Sequence, residues 1–305
     1  MVSTEKKPNE KEIWRNLPGS EGTERAEQFI ELSHMAYDRG DFKSALALCE
    51  SAREIYESQI AVASTKELLH VYEGITYSLS RLNRDAEAAK MAMQAFDFLH
   101  SEYPSDATNM LRRAGEFYYG AGEIEKALEC HMQVMHEVDP DITNQMIGQD
   151  HYSIGYLSQK LGRYYQAIFH LEQARHYFKL EKDPENIYYC DEYLAVCYIA
   201  LNNSVDSLIH AQKALDFAQT AQNQDLEIQA NYRLGCANVL IGEFDEAISL
   251  LKKSLSMNVH SKHPDWKLAI DIEKEIAHVL IIKGKVDEAE QIRRRISTLQ
   301  ETICA

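Results

Sequence analysis

The 305-residue chain is short of the residues that interrupt helices, with 13 glycines and 6 prolines. An all-β protein of this length would need more of them for its turns. Long apolar runs are missing too. No stretch approaches the roughly 20 residues that span a bilayer, and the opening "MVSTEKKPNEKEIW" has no apolar core of signal-peptide type. Membrane insertion is therefore not expected. The six cysteines (Cys49, Cys130, Cys190, Cys197, Cys236 and Cys304) form no CxxC pair. They read as small core residues in a reducing cytoplasm, not as a disulfide framework. Positive charge is scarce: 32 Lys and Arg stand against 48 Asp and Glu, for a net charge of −16. Such a chain repels phosphate backbones, so direct nucleic-acid binding is not expected. The one basic run, Arg293-Arg294-Arg295, sits near Glu288 and Glu290 and reads as a solvated helix face.

Catalytic signatures are absent as well. GxGxxG, P-loop and GxSxG sequences do not occur. His131 and His136 are five apart and His170 and His176 six apart, whereas metal ligands sharing a helical face are three or four apart. "HSKHPDW", with His260, His263 and Asp265, reads as a solvated junction. "DPDITNQ" from Asp139 lacks the Gly and terminal Glu of a calcium loop, and reads as a turn leading into an N-cap. No enzyme, metal or cofactor is expected.

What the chain does have is repetition. "GDFKSALALCESAR" at Gly40 returns as "GEIEKALECHMQVM" at Gly122, "GRYYQAIFHLEQAR" at Gly162, "GEFDEAISLLKKSL" at Gly242 and "GKVDEAEQIRRRIS" at Gly284, with degenerate copies at Asn83 and Asn202. The seven anchors are spaced 43, 39, 40, 40, 40 and 42 residues apart. Gly and Asn are the residues that most readily end a helix in the left-handed conformation. Seven residues before the anchors stand Ser33, Thr76, Gly115, Gly155, Ala195, Gly235 and Ala277, all small. Five residues after them stand Ala45, Ala88, Ala127, Ala167, Ser207, Ala247 and Ala289, small again. Small residues on both sides of a turn let two antiparallel helices approach closely. Apolar residues recur at helical spacing around these notches, and Pro104, Pro140, Pro184 and Pro264 mark joints between units. Each unit is helix, turn, helix and junction, and only stacking gives such units a core.

These residues resemble the tetratricopeptide repeat over roughly residues 26–300, in a long-period variant similar to the repeats of kinesin light chain and of Gram-positive peptide-pheromone receptors. The resemblance implies an all-α, right-handed superhelical solenoid of about seven repeats spanning 23–305 and ending in a C-terminal capping helix. It also implies a concave surface lined by the first helix of each repeat. Carried onto this sequence, the groove positions are His34, Tyr37, Tyr77, Arg81, Asn109, Arg112, Arg113, Glu116, Tyr119, Tyr152, Tyr156, Gln159, Lys160, Tyr189, Asn231, Tyr232, Arg233, Lys274 and His278. Tyrosine and arginine dominate binding hot spots because each offers a large contact area with a polar end. Asn109 and Asn231 are poor helix formers and invite a reason. Cations inside so acidic a chain suggest an acidic, C-terminally carboxylated or extended peptide as ligand. The carboxylate clamp of chaperone-binding repeats is not matched, since repeat one has Ile30 and His34 where the clamp needs Lys and Asn.

The ends are read separately. Residues 1–22 are expected to be a flexible polar arm, with Thr23 as the N-cap of the first repeat helix. The apolar cluster Ile13-Trp14-Leu17 either packs on that helix as a cap or serves as a docking peptide. Ile292, Ile296 and Leu299 suit docking on the seventh repeat or a homodimer contact. The expected function is a cytoplasmic, non-enzymatic scaffold that binds a peptide or protein segment. The alternative is a small-peptide sensor that changes conformation and regulates a partner.

Overall fold

The computed structural model describes residues 10–58, 65–137 and 139–304. The described residues form fifteen α-helices and no strand, and the chain divides into two compact units, Met1–Ile142 and Thr143–Ala305. The first unit holds α1 (Glu10–Asn16), α2 (Gly22–Asp38), α3 (Phe42–Ser58), α4 (Thr65–Arg81), α5 (Asp85–Leu99), α6 (Pro104–Gly120) and α7 (Ile124–Val134). The second holds α8 (Asn144–Lys160), α9 (Tyr164–Leu180), α10 (Pro184–Ala200), α11 (Ser204–Thr220), α12 (Gln224–Ile241), α13 (Phe244–Val259), α14 (Trp266–Ile282) and α15 (Val286–Cys304). Within each unit every repeat helix packs on the next in sequence, as in a tetratricopeptide-like solenoid.

The turns follow from the anchors. Gly40, Gly122, Gly162, Gly242 and Gly284 all have φ between 71° and 81°, and Asn83 and Asn202 take 57° and 54°. At the first turn the Gly40 amide donates to Tyr37 O and the Asp41 amide to Ala36 O, at 2.8 and 2.9 Å. Two carbonyls that the helix end leaves open are thereby closed. The Asn repeats turn in the same way, so they are full members of the array.

The notches are close approaches. A Cβ built on Gly155 would lie 2.7 Å from Leu171 Cγ, and one on Gly235 would lie 2.8 Å from Leu251 Cγ. Any larger residue there would push the pair apart. The alanines five after the anchors, and Ser207 at the same place, are buried to within 1% of full burial. Side-chain caps begin several helices: Thr143 Oγ1, Asp183, Asn203, Asn223 and Asp265 each accept from a backbone amide in the first turn. Asp265, in the "HSKHPDW" junction, therefore works as a cap, and Asn258 clamps its backbone from both sides.

The ends depart from the sequence reading. Residues 10–19, placed within a flexible arm, form α1 and a short 3₁₀ turn, with Ile13 and Leu17 buried and Arg39 holding Glu10 at 2.6 Å. That segment caps the first repeat; residues 1–9 lie outside the described residues. Helix α2 starts one residue before Thr23, and Glu21 takes the N-cap position, in extended backbone and without a side-chain cap bond. Helix α15 is the second helix of repeat seven and not an added cap: Ala289 and Ile296 are buried, and Ile292 packs on the same core. The side chain of Leu299 lies outside the described residues.

Candidate binding surfaces

First helices lie beside one another within the units: α2 touches α4, and α8, α10, α12 and α14 touch in turn. One register governs how they meet. The residue nine before a turn anchor reaches back onto those ten and six before the preceding anchor. In the first unit Arg113 donates to Glu73 at 2.8 Å and lies over the Tyr77 ring at 4.9 Å. In the second, Tyr193 packs edge-on against Tyr152 and Tyr156, with centroids 6.0 and 5.0 Å away. One repeat on, Arg233 donates to Glu192 at 2.8 Å. At the last interface Glu275 lies with Tyr232 and Cys236 in a cleft of about 240 Å³, which Val196, Arg233 and His278 also line.

At the α2–α4 interface the same position is Gly74. Cys49 Sγ packs where its Cβ would stand, and a cleft of about 590 Å³ lies beside it, lined among others by Ser33, His34, Tyr37, Asp38, His70, Glu73, Tyr77 and Ser78. That volume is in the range of small-ligand sites.

The expected groove residues divide by exposure. His34, Tyr77, Arg81, Glu116, Tyr119, Lys274 and His278 are exposed. Tyr37, Asn109, Arg112, Arg113, Tyr152, Tyr156, Gln159, Tyr189, Tyr232 and Arg233 are half-buried, and Lys160 lies over Tyr156. The structure brings His34, Tyr37 and Tyr77 together in the first cleft, and Tyr232, Arg233 and His278 in the second. It removes Asn231 from the surface. That side chain is fully buried and donates to Glu227 O at 2.7 Å, so it stitches its own helix.

Charge is arranged differently from the expectation of a basic groove. Arg112 faces the buried Asp139 at 3.5 Å and takes Asn109 Oδ1 at 2.8 Å. Arg113 is held by Glu73, Arg233 by Glu192 and Lys274 by Asp271. These cations are neutralised from within, which removes the main reason to expect an acidic ligand. Arg81 lies over the Phe42 ring at 4.9 Å, beside Tyr37. Desolvation pushes the Glu116 carboxyl up, against the pull of Arg113.

Sequence reasoning missed a buried polar cluster. Asp191 Oδ1 meets His210 Nδ1 at 2.6 Å and Arg175 Nε at 2.9 Å, joining α9, α10 and α11. The signal was an acidic pair, Asp191-Glu192, inside the apolar run "YYCDEYLAVC". His151 and His170 form a second pair, Nδ1 to Nδ1 at 2.9 Å, and His151 stacks on Tyr177. Burial, with His170 beside it, lowers His151 to about 4. Burial, helped by Arg112, lowers His131 to about 4 as well. The thiols of Cys130, Cys197 and Cys236 are pushed up to about 11, 12 and 12 by burial, which keeps them protonated; Cys130 and Cys197 are core groups, and Cys236 borders the second cleft. Among the described residues no three His, Cys, Asp or Glu gather as a metal site, and no helix is long and apolar enough to cross a membrane.

Comparison with known proteins agrees on the fold. The tetratricopeptide repeat family profile matches residues 228–258. No curated protein matches the sequence. Among solved structures, a Rap protein complexed with competence and sporulation factor is similar at TM-score 0.60 and 12% identity, covering 90% of this chain and 77% of that one. A Signal Transduction ATPase with Numerous Domains from Pyrococcus horikoshii, which carries a tetratricopeptide repeat sensor, is similar at TM-score 0.68 and 15% identity. That match covers 96% of this chain, which spans 45% of the archaeal protein. A kinesin light chain-like protein with nearly identical TPR-like repeats, from Podospora anserina, is similar at TM-score 0.54 and 16% identity, covering 62% of this chain and 94% of that one. At these identities the likeness is one of fold.

Proposed function

Starting from a chain that is a tetratricopeptide-like repeat protein, we propose that it is a non-enzymatic interaction scaffold whose first-helix surfaces bind an extended segment of another protein. The observation that carries this reading is the pair of clefts, one in each unit, opening between neighbouring first helices and walled by tyrosine and histidine. Aromatic rings with polar tips give affinity and direction together. Since most of the surface arginines are already paired, recognition rests on rings and hydroxyls more than on opposite charge.

The second reading is a small-peptide sensor working in the cytoplasm. What favours it is the similarity to a Rap protein solved with competence and sporulation factor bound. A short ligand that bridges neighbouring first helices would favour one spacing of the repeats over another. A homodimer contact, in the same proposal, runs through helix α15, whose outer face is rich in arginine and glutamate.

Affinity capture from the native cell separates these readings. Wild type is compared with Tyr37→Ala/Tyr77→Ala and with Tyr232→Ala/His278→Ala, and both proteins and peptides are identified by mass. A macromolecule lost from either variant, with the helical signal intact, supports the scaffold. A peptide below a few kilodaltons that also raises the wild-type melting temperature supports the sensor. Retention of every species by both variants would place binding elsewhere and defeat both.

A further inference from the structure

The cleft between α2 and α4 has features that the other interfaces lack. At those interfaces a side chain of the protein occupies the slot: Arg113, Tyr193, Arg233 or Glu275. Here the occupant position is Gly74, and it has little freedom to be anything else. A Cβ on it would lie 2.6 Å from Cys49 Sγ. One buried group in the lining also lacks a partner: the Ser78 hydroxyl makes no hydrogen bond although Ser78 is 1% exposed. Leaving a buried hydroxyl unpaired costs about as much as a lost hydrogen bond, and a ligand group would relieve it.

We propose that this cleft is a socket for one aromatic side chain with a polar tip, a tyrosine, of the segment that binds the first-helix surface. The inference rests on the function proposed above. The chain itself shows the chemistry at the homologous slot, where Tyr193 sits edge-on between Tyr152 and Tyr156. By the shared register Ile30 and His34 stand where Tyr152 and Tyr156 do; the rings that line the open slot, Tyr37 and Tyr77, come from other positions, and Ser78 supplies the hydroxyl that a phenol can meet. The buried part of the lining (Ser33, Ala45, Cys49 and Ser78) carries no charge. Of the two carboxylates, Glu73 already holds Arg113, and Asp38 lies at the exposed edge. A guanidinium would find no carboxylate at the floor.

The test titrates the full chain with N-acetyl-tyrosinamide, N-acetyl-phenylalaninamide and N-acetyl-argininamide, read by amide NMR shifts at Gly74 and Ser78. The tyrosine derivative is expected to shift both resonances and the phenylalanine derivative to bind more weakly, while the arginine derivative leaves them in place. Ser78→Ala should weaken the tyrosine derivative about fivefold, the worth of one ordinary hydrogen bond, without changing the phenylalanine derivative. Gly74→Tyr combined with Cys49→Ala, which makes room for the new Cβ, should abolish binding of both. Absence of shifts with either aromatic, an arginine response as strong, or an equal effect of Ser78→Ala on both rings would overturn the socket. Ser78→Ala removes a hydroxyl without a partner, so it keeps the test decisive if the Gly74 variant does not fold. Fragment binding with native partners retained by every groove variant would leave the socket standing and defeat the scaffold reading. Partner loss in the groove variants without fragment binding would do the reverse.

Discussion

The two units solve the same packing problem with different side chains. Where α4 meets α2 the slot position is Gly74, and a cleft of about 590 Å³ remains. Where α10 meets α8 it is Tyr193, and its ring fills the space against Tyr152 and Tyr156. The backbone register is shared, and the slot residue governs how much of the interface stays open, about 590 Å³ beside Gly74 and about 240 Å³ beside Glu275. Polar groups differ in the same sense. The first unit's Arg113–Glu73 pair keeps over a quarter of each side chain in solvent, with 26% and 29% exposed. In the second unit Asp191 and its partners Arg175 and His210 sink to 4%, 13% and 7%. A repeat array thus offers one scaffold on which slots can be filled, emptied or charged independently.

The contrast in burial predicts the largest effect. Asp191→Ala leaves the buried His210 and the largely buried Arg175 with only Glu172, at 3.6 and 3.8 Å and itself 40% exposed, and is expected to cost about 3 kcal/mol. Glu73→Ala, at the half-exposed pair, should cost about 1 kcal/mol or less. Denaturant melts of both variants check the ranking; equal losses would mean that burial does not distinguish the pairs. Next comes packing at the notches. Gly155→Ala forces Leu171 to move and should cost about 1–3 kcal/mol, seen as a lower melting temperature with unchanged helix content.

An effect at least as large is expected from acid. His131 and His151 have folded values lowered to about 4 from an ordinary 6.5. Between those values the unfolded chain binds more protons than the folded one, so stability rises with pH across the window. It is therefore lost as pH falls from about 6.5 toward 4, and these groups add no further slope below that. Melting temperatures at steps of pH should show the decline. A His131→Gln/His151→Gln variant should flatten it, and an unchanged slope would remove these histidines as its source.

Much of the architecture was legible in the residues. Gly40, Asn83 and their equivalents are read directly because left-handed backbone restricts the choice of residue, and the notch residues because crossing helices leave no room. The surface was less legible. A repeat position says that Arg113 or Arg233 points toward the groove, but not that a glutamate one repeat earlier already holds it. Asn231 has a plausible groove position and lies in the core, since rotation of a few tens of degrees about a helix axis separates the two. Gly74 was passed over because an isolated glycine in a helix has no periodic signature; its meaning lies in the register it shares with Tyr193. The α1 cap was hidden because seven residues with one buried isoleucine make a weak pattern.

The most direct test of the shared register is to empty the filled slot. In Tyr193→Gly the α8–α10 interface should open a cleft walled by Tyr152 and Tyr156, visible in a crystal structure, and N-acetyl-tyrosinamide should bind there as it does beside Gly74. Closure of α10 onto α8 with no cleft and no binding would contradict the claim that the slot residue governs how far a repeat interface opens.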